Sequence, residues 1–185
     1  MPTIRPYQPK DKENVRHICI QTGPGAALQP GRARKLLLAT YCDYYIECEP
    51  QNCFVIADGD DGAVGYILCA QDYWRYRGRF LREYAPRAKG LRGRVEARGS
   101  ARLTRLFVKK YPAHLHIDIL PAYQRMGLGS QLMDTLTARL RAMGVPGVML
   151  GVGAGNEKGR NFYRKYGFKA LLRIPGCVVM GLELL

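Results

Sequence analysis

The stretch from His114 to Ser130, H-L-H-I-D-I-L-P-A-Y-Q-R-M-G-L-G-S, holds most of the residues in this chain whose types and spacing could do chemistry. It divides into an alternating polar and apolar run, a proline at 121, and a loop with Gly127 and Gly129 that opens an amphipathic helix. A strand feeding a glycine-bearing loop at a helix start offers bare backbone N–H groups, at the positive end of the helix dipole, to an anion. The chemistry first indicated is therefore the holding of a phosphate-bearing ligand. Glycines at 127 and 129 would let the backbone come close to a pyrophosphate. Neither of the two commonest phosphate loops is present. Gly129 is followed by Ser130 and Gln131 where a Walker loop has lysine, and Leu132 stands where a dinucleotide fingerprint has its third glycine.

On a strand, His114, His116 and Asp118 share one face, and Leu115, Ile117 and Ile119 the other. A carboxylate on such a face needs a reason, because burial without partners is costly. Two readings stand side by side: Asp118 as a proton-accepting base in a cleft, and Asp118 held by hydrogen bonds or by an arginine. H-x-H-x-D also invites zinc, but no further His or Cys is placed by sequence to complete a ligand set, and no metal is assigned.

The elements that must position these residues follow from periodicity. Thr3 to Tyr7 reads as a strand, and Asp11 is placed to cap a helix carrying Val15, Ile18 and Cys19 on one side. A second helix is expected over Arg32 to Cys48, with Leu37, Tyr41, Tyr44, Tyr45 and Cys48 on one face; its tyrosines either line a pocket or form a core stripe with a wet edge. Cys53 to Ala57 and Ala63 to Ala70 read as a hairpin around Asp58-Gly59-Asp60-Asp61-Gly62. Tyr73 to Tyr84 is expected as helix, Lys89 to Ser100 as loop, and Ala101 to Tyr111 as helix. Leu132, Leu136, Leu140 and Met143 give the helix after the glycine loop its apolar face, ended by Gly144. Gly147 to Val152 reads as a buried strand, Asn156 to Tyr166 as a helix, and Phe168 to Arg173 and Cys177 to Leu184 as a terminal hairpin. This order predicts an α/β (α+β) fold: residues 1–185 as one domain, with a mixed central sheet of about seven strands and helices on both faces.

A chain of 185 residues can bury a core without staples. Its six cysteines contain no C-x-x-C pair and are read as reduced thiols. No apolar run approaches the roughly 18 residues of a membrane span, so the expectation is a cytoplasmic protein that does not enter membranes. The formal net charge of +14 is concentrated in residues 71–110, where 13 Lys and Arg face only Asp72, Glu83 and Glu96. That basic insert precedes the His114 strand and either forms a wall favouring acidic acceptors or is a solvated surface.

The motif Gln124-x-x-Gly127-x-Gly129 resembles the acetyl-CoA loop of the GNAT (GCN5-related) N-acetyltransferase superfamily, and Asn156, Tyr163, Gly167 and Phe168 stand at the spacing of that superfamily's N-x(6)-Y-x-x-x-G-F pattern. With the element order, the resemblance covers nearly the whole chain. Within the superfamily, the H-L-H-I-D-I-L-P stretch, the insert and the proline-containing hairpin look like the acetyltransferase-like domain at the C-terminal end of O-GlcNAcases and its free-standing bacterial relatives. The resemblance implies acetyl-CoA as co-substrate. It implies that backbone groups of Ile117, Asp118 and Ile119 run beside the pantetheine arm, and that Gln124, Arg125, Met126, Gly127, Leu128, Gly129 and Ser130 form the pyrophosphate loop. Asn156 would contact the cofactor arm and Tyr163 would sit near the sulfur, where a phenol with an ordinary pKa of about 10 can protonate a leaving thiolate; the plainer reading of Tyr163 is an aromatic core residue.

Many relatives carry a glutamate base on the fifth strand, five residues before the Asn; here that position is Gly151, and Asp118 is the substitute. The function expected is acetyl transfer to an amine by direct attack in a ternary complex, the acceptor being an acidic peptide or a small molecule. The alternative is a non-catalytic acetyl-CoA-binding or partner-recognition module, favoured by Gly151. A nucleic-acid binder using the arginines with Tyr73, Trp74 and Tyr76 ranks last. A homodimer is one assembly the sequence allows.

Overall fold

A computed structural model describes residues 1–59, 62–87 and 105–185 of the chain. Its strands are β1 (Thr3–Pro6), β2 (Phe54–Ala57), β3 (Ala63–Ala70), β4 (Ala113–Ile119), β5 (Gly147–Gly153), β6 (Lys169–Ile174) and β7 (Cys177–Glu183). They form one sheet in the order β1-β2-β3-β4-β5-β7-β6, antiparallel throughout except where β4 lies parallel to β5. The mixed sheet with helices on both faces is thus the expected architecture.

Alternation along the strands assigns the two layers. Ala113, Leu115, Val148, Leu150 and Val152 turn to one face, packed against Leu132, Met133, Leu136 and Leu140 of α5 (Leu128–Ala142). Those leucines recur at helical spacing, and each fully buried one contributes roughly 1.5–3 kcal/mol. The aromatic side of α6 (Glu157–Tyr166) closes the same layer. On the opposite face, Val55, Tyr66 and Leu68 pack against α1 (Lys12–Thr22) through Val15, Ile18 and Cys19. Every residue of β3 is buried, which explains its unbroken apolar run.

Several local expectations need correction. The helix expected over Arg32 to Cys48 is α2 (Arg32–Leu38), a π-helical turn at Ala39–Asp43 and α3 (Tyr44–Cys48). Similarly, Tyr73 to Tyr84 divides into α4 (Tyr73–Arg79), capped by the Asp72 carboxylate on the Arg75 N–H at 2.8 Å, and a second π-helical turn at Phe80–Tyr84. Each widened turn takes an extra residue, which side-chain periodicity over one helix does not register. Asp11 does not cap α1. Its buried carboxylate accepts two hydrogen bonds from Arg5 at 2.7 Å and one from the Gln8 N–H at 2.9 Å, since a charge taken out of water needs a cation more than a helix end does. Residues 105–110 form turns rather than the end of the helix expected over Ala101 to Tyr111, whose first four residues lie outside the described ones. So do Asp60, Asp61 and the loop expected at Lys89 to Ser100, with Arg92 and Arg94. All six cysteines are free thiols, four of them buried. Among the described residues no helix is long and apolar enough to cross a membrane.

Candidate functional site

The site begins where the sheet comes apart. The pairing of β4 with β5 consists of Ala113↔Val148 and His114↔Met149 and goes no further. On its other edge β4 pairs with β3 along Gly65↔Ile119 to Ala70↔His114. The Leu120 N–H donates to the Val64 carbonyl at 3.0 Å, so alternation commits the backbone groups of Asp118, His116 and His114 to β3. Those of Leu115, Ile117 and Ile119 consequently face the gap. The expectation places the backbone of Asp118 beside a cofactor arm together with Ile117 and Ile119; the edge left unpaired at the gap carries the backbone groups of Ile117 and Ile119, whereas Asp118 turns its backbone to β3 and its side chain to the chamber beyond the gap. The Ile119 carbonyl takes a hydrogen bond from Gln124 Nε2 at 2.8 Å, tying the glycine loop to the end of β4.

The loop turns through left-handed backbone at Arg125 (φ 64°) and Gly127 (φ 78°) before α5 starts at Leu128. Arg125 is the only non-glycine residue with positive φ among the described ones. The Ser130 N–H donates to the Gly127 carbonyl at 3.1 Å, and the N–H groups of Leu128 and Gly129, in the first turn of α5, have no carbonyl four residues earlier within the helix to accept them. Backbone N–H groups at such a helix start form a cradle for an oxyanion. Gly129 has another reason for being glycine. A Cβ there would meet the Phe162 ring at 3.3 Å, so it allows α5 to approach α6 rather than a ligand to approach the backbone.

The gap leads into a cavity of about 290 Å³ between β4, β5 and the C-terminal end of α1, lined among others by Asp118, Gly151, Asn156 and Tyr163. The two sequence-predicted catalytic side chains therefore share one chamber. Asp118 Oδ2 accepts a 2.6 Å hydrogen bond from the fully buried Tyr66 hydroxyl. Burial pushes the Asp118 carboxyl up to about 6, against the opposing pull of the hydrogen bonds from Tyr66 and Thr22. At neutral pH such a group is mostly ionised yet accepts a proton readily. Burial and, secondarily, the Asp118 charge raise the Tyr163 phenol further above its ordinary value, which keeps it protonated. Its ring packs against Phe162 and Phe168, with centroids 5.3 and 5.6 Å away. Tyr163 thus packs against the core and also lines the chamber. Asn156 caps α6 by accepting the Gly159 N–H at 2.8 Å, and it lines the chamber.

Gly151 sits at the junction with a second cavity, of about 320 Å³, on the same face as His114 and His116. A Cβ at 151 would point at Cys177 Sγ, 3.3 Å away. His116 lines both cavities; its Nε2 lies 3.0 Å from the Tyr45 hydroxyl, and burial lowers it to about 4, so it is neutral at physiological pH. Among the described residues no group of three or more His, Cys, Asp and Glu is arranged to hold a metal ion. Of the aromatics considered for base stacking, Tyr73 is buried and Tyr76 half-buried, both lining the second cavity, and Trp74 alone is exposed. Sequence reasoning missed Tyr66. It meets Asp118 only through the β3–β4 register, and nothing in its own neighbourhood signals the pairing.

A sheet split between a parallel strand pair, followed by an oxyanion cradle at the next helix, defines an acyl-CoA-type transferase fold. The Acetyltransferase (GNAT) family model matches residues 26–168, and the chain belongs to that family. The crystal structure of SsHAT is similar to it over 100% of this chain and 98% of that one, at 29% identity and a TM-score of 0.84. Ard1 from Thermoplasma volcanium is similar over 100% and 98%, at 21% identity and a TM-score of 0.63. PaiA N-acetyltransferase from Thermoplasma acidophilum, solved in complex with coenzyme A, is similar over 99% of each chain, at 14% identity and a TM-score of 0.61. At such identities the last two speak for the fold alone.

Proposed function

We propose that this chain is an acetyl-CoA-dependent N-acetyltransferase in which an amine attacks the thioester directly in a ternary complex. The observation that carries the reading is the continuity of three features: the unpaired edge of β4, the glycine loop and helix start that follow it, and the chamber holding Asp118 and Tyr163. The free edge matches a pantetheine arm, which carries amides that can pair like a strand. The cradle matches a pyrophosphate. Acetyl-CoA, when bound, supplies the activated acetyl group.

The chain's own residues then do the following. Ile117 and Ile119 orient the arm, the amides of Arg125 to Gly129 hold the phosphates, and the Asn156 amide nitrogen donates to the arm. Asp118 takes a proton from the arriving ammonium, so that the nitrogen lone pair can form the new N–C bond. As the C–S bond breaks, the electron pair leaves on sulfur, Tyr163 supplies the proton that turns thiolate into thiol, and the second proton shed by the acylated nitrogen restores the phenol. Fixed geometry between the amine and the thioester provides much of the rate. Among GNAT proteins, the chain is grouped with the O-GlcNAcase C-terminal acetyltransferase-like domain and its bacterial relatives on the H-L-H-I-D-I-L-P stretch.

The test is calorimetric titration with acetyl-CoA, followed by thiol release with a panel of amines. An Arg125→Asp variant puts an acid beside the cradle at a position whose left-handed backbone aspartate tolerates. One-to-one binding weakened at least about tenfold by that change is expected. Tyr163→Phe is expected to bind normally but to slow thiol release by about 10²-fold or more. Absence of binding refutes the reading. Binding without amine-dependent release establishes instead the non-catalytic acetyl-CoA module, the reading that Gly151 favours.

A further inference from the structure

The second cavity contains more unmet polar chemistry than a structural void should. His114 stands among the rings of Tyr45, Tyr73 and Tyr76, with centroids 5.6, 6.4 and 4.3 Å away, and neither of its nitrogens has a hydrogen-bond partner among the described residues. Thr40 Oγ1 and Arg77 Nε are likewise buried and unpartnered there, and all three residues line the same space. Buried polar atoms are almost always paired, so three such side chains converging on one cavity mark a place for a ligand's polar atoms. None of the ion pairs among the described residues involves Arg77.

The rest of the cavity defines the ligand's body. Its walls are largely tyrosine and phenylalanine, from the α2–α3 and α4 segments, and its floor is the part of β5 where Gly151 and Gly153 carry no side chain. Both π-helical turns of the described residues border it, one through Thr40 and the other through Phe80 and Leu81. Widened turns of this kind frequently accompany functional sites. Charge decides the rest. Burial lowers His114 to about 3, aided by His116, so the imidazole is neutral and Arg77 is the cavity's cation. A guanidinium donor, a hydroxyl and an imidazole N–H together ask for oxygen acceptors, and the cation favours a carboxylate.

We infer that this cavity is the acceptor site, and that it takes a small amine with a flat apolar body and a carboxylate, the carboxylate held by Arg77 and Thr40 and the amine delivered past His116 to Gly151. The inference rests on the acetyl-transfer reading. It also gives the basic segment at 71–110 a specific contribution, since Arg77 belongs to it. About 320 Å³ of aromatic-walled space suits one small molecule rather than the extended groove a peptide chain requires.

The experiment first titrates the full chain with CoA, which cannot transfer an acyl group, and then titrates the CoA-saturated protein with para-aminomethylbenzoate and with its methyl ester. The expected result is binding of the carboxylate at least about tenfold tighter than the ester, a charged hydrogen bond's worth. That preference should vanish in Arg77→Met, with CoA affinity unchanged. Arg77→Lys, which keeps the charge but loses the Nε donor, should retain part of it and guards against a folding defect in the first variant. Equal binding of acid and ester, an unaltered preference in Arg77→Met, or tighter binding of an acidic lysine peptide than of the small acid overturns the assignment while leaving the acetyl-CoA reading intact. No binding of CoA removes that reading, and the acceptor site falls with it.

Discussion

Removing one hydroxyl from the buried face of β3 should move the pH profile of the enzyme. Tyr66 is fully buried and donates its hydroxyl to Asp118 Oδ2 at 2.6 Å. This bond favours the carboxylate over the acid, opposing the burial that pushes Asp118 up to about 6. A hydrogen bond to a charged group contributes about 1.5–3 kcal/mol and one to a neutral group about 1 kcal/mol. Their difference is on the order of 1.4 kcal/mol, which displaces a pKa by about one unit. In Tyr66→Phe the Asp118 midpoint should therefore rise from about 6 to about 7. Near pH 7 the ionised fraction drops from roughly nine-tenths to roughly one-half, a loss of about twofold. Near pH 6 the same displacement takes it from roughly one-half to roughly one-tenth, a loss of about fivefold. Above about pH 8.5 the variant should recover nearly full activity.

The assay is kcat/KM for thiol release against pH, which reports groups of the free enzyme. An alkylamine acceptor that titrates at about 10 leaves the acid limb to the protein. Acetyl-CoA affinity serves as the control for folding. An acid limb that stays in place in Tyr66→Phe, or that survives in Asp118→Asn, refutes Asp118 as the proton acceptor. A uniform loss at all pH values would assign Tyr66 to packing alone.

Two further outcomes follow from the structure. Gly151→Glu puts a carboxylate where relatives carry one, its Cβ 3.3 Å from a Cys177 thiol whose flexible side chain can give way. In an Asp118→Asn background it should restore thiol release at least partly, and in the wild-type background it should slow bulky amines more than small ones; no rescue in an intact double variant would mean that the fifth strand no longer faces the reacting atoms. Asp11→Asn should lower stability by about 3 kcal/mol in urea titration, because it leaves Arg5 without its buried partner. Burial alone would raise the Asp11 carboxyl, but the Arg5 hydrogen bonds and the Gln8 N–H hold it below its ordinary 3.8. The wild-type advantage should thus be present above that value and fade as pH falls through the depressed one; a difference that persists unchanged in acid would contradict the pairing.

The parts of this molecule legible in the sequence are those in which a local pattern has a local cause. Alternation at 113–119, the glycine loop and the leucine repeat of α5 each follow from nearest-neighbour geometry. What could not be read is set by register and by widened turns. Tyr66 reaches Asp118 because two antiparallel strands align 52 residues apart in sequence. The tyrosines of the α2–α3 segment divide between roles that a single helical repeat would have merged: Tyr44 is in the core, Tyr41 is 43% exposed at the rim of both cavities, and Tyr45 is buried yet lines one. The motif singles out Gly129 for a ligand's approach, whereas the close neighbour a side chain there would meet, Phe162, lies in a helix about thirty residues onward.

The absence of a side chain at Gly151 and the raised carboxyl at Asp118 are two aspects of one arrangement. Both residues border the same chamber, on the face of the sheet where β4 and β5 part. Two carboxylates confined there could not both ionise without one being pushed to high pKa by the other. With glycine at 151, Asp118 is perturbed chiefly by burial and stops near 6, low enough to be ionised at neutral pH and high enough to accept a proton from an ammonium. Gly151 lines both the chamber and the aromatic cavity, so under the acceptor proposal a molecule anchored at Arg77 would present its amine beside the chamber. A glutamate at 151 would start 3.3 Å from Cys177 Sγ, a residue that lines the aromatic cavity. On the proposed mechanism, a base on the fourth strand in place of one on the fifth leaves the aromatic cavity clear at Gly151, which suits an acceptor that enters through enclosed space rather than over an open groove.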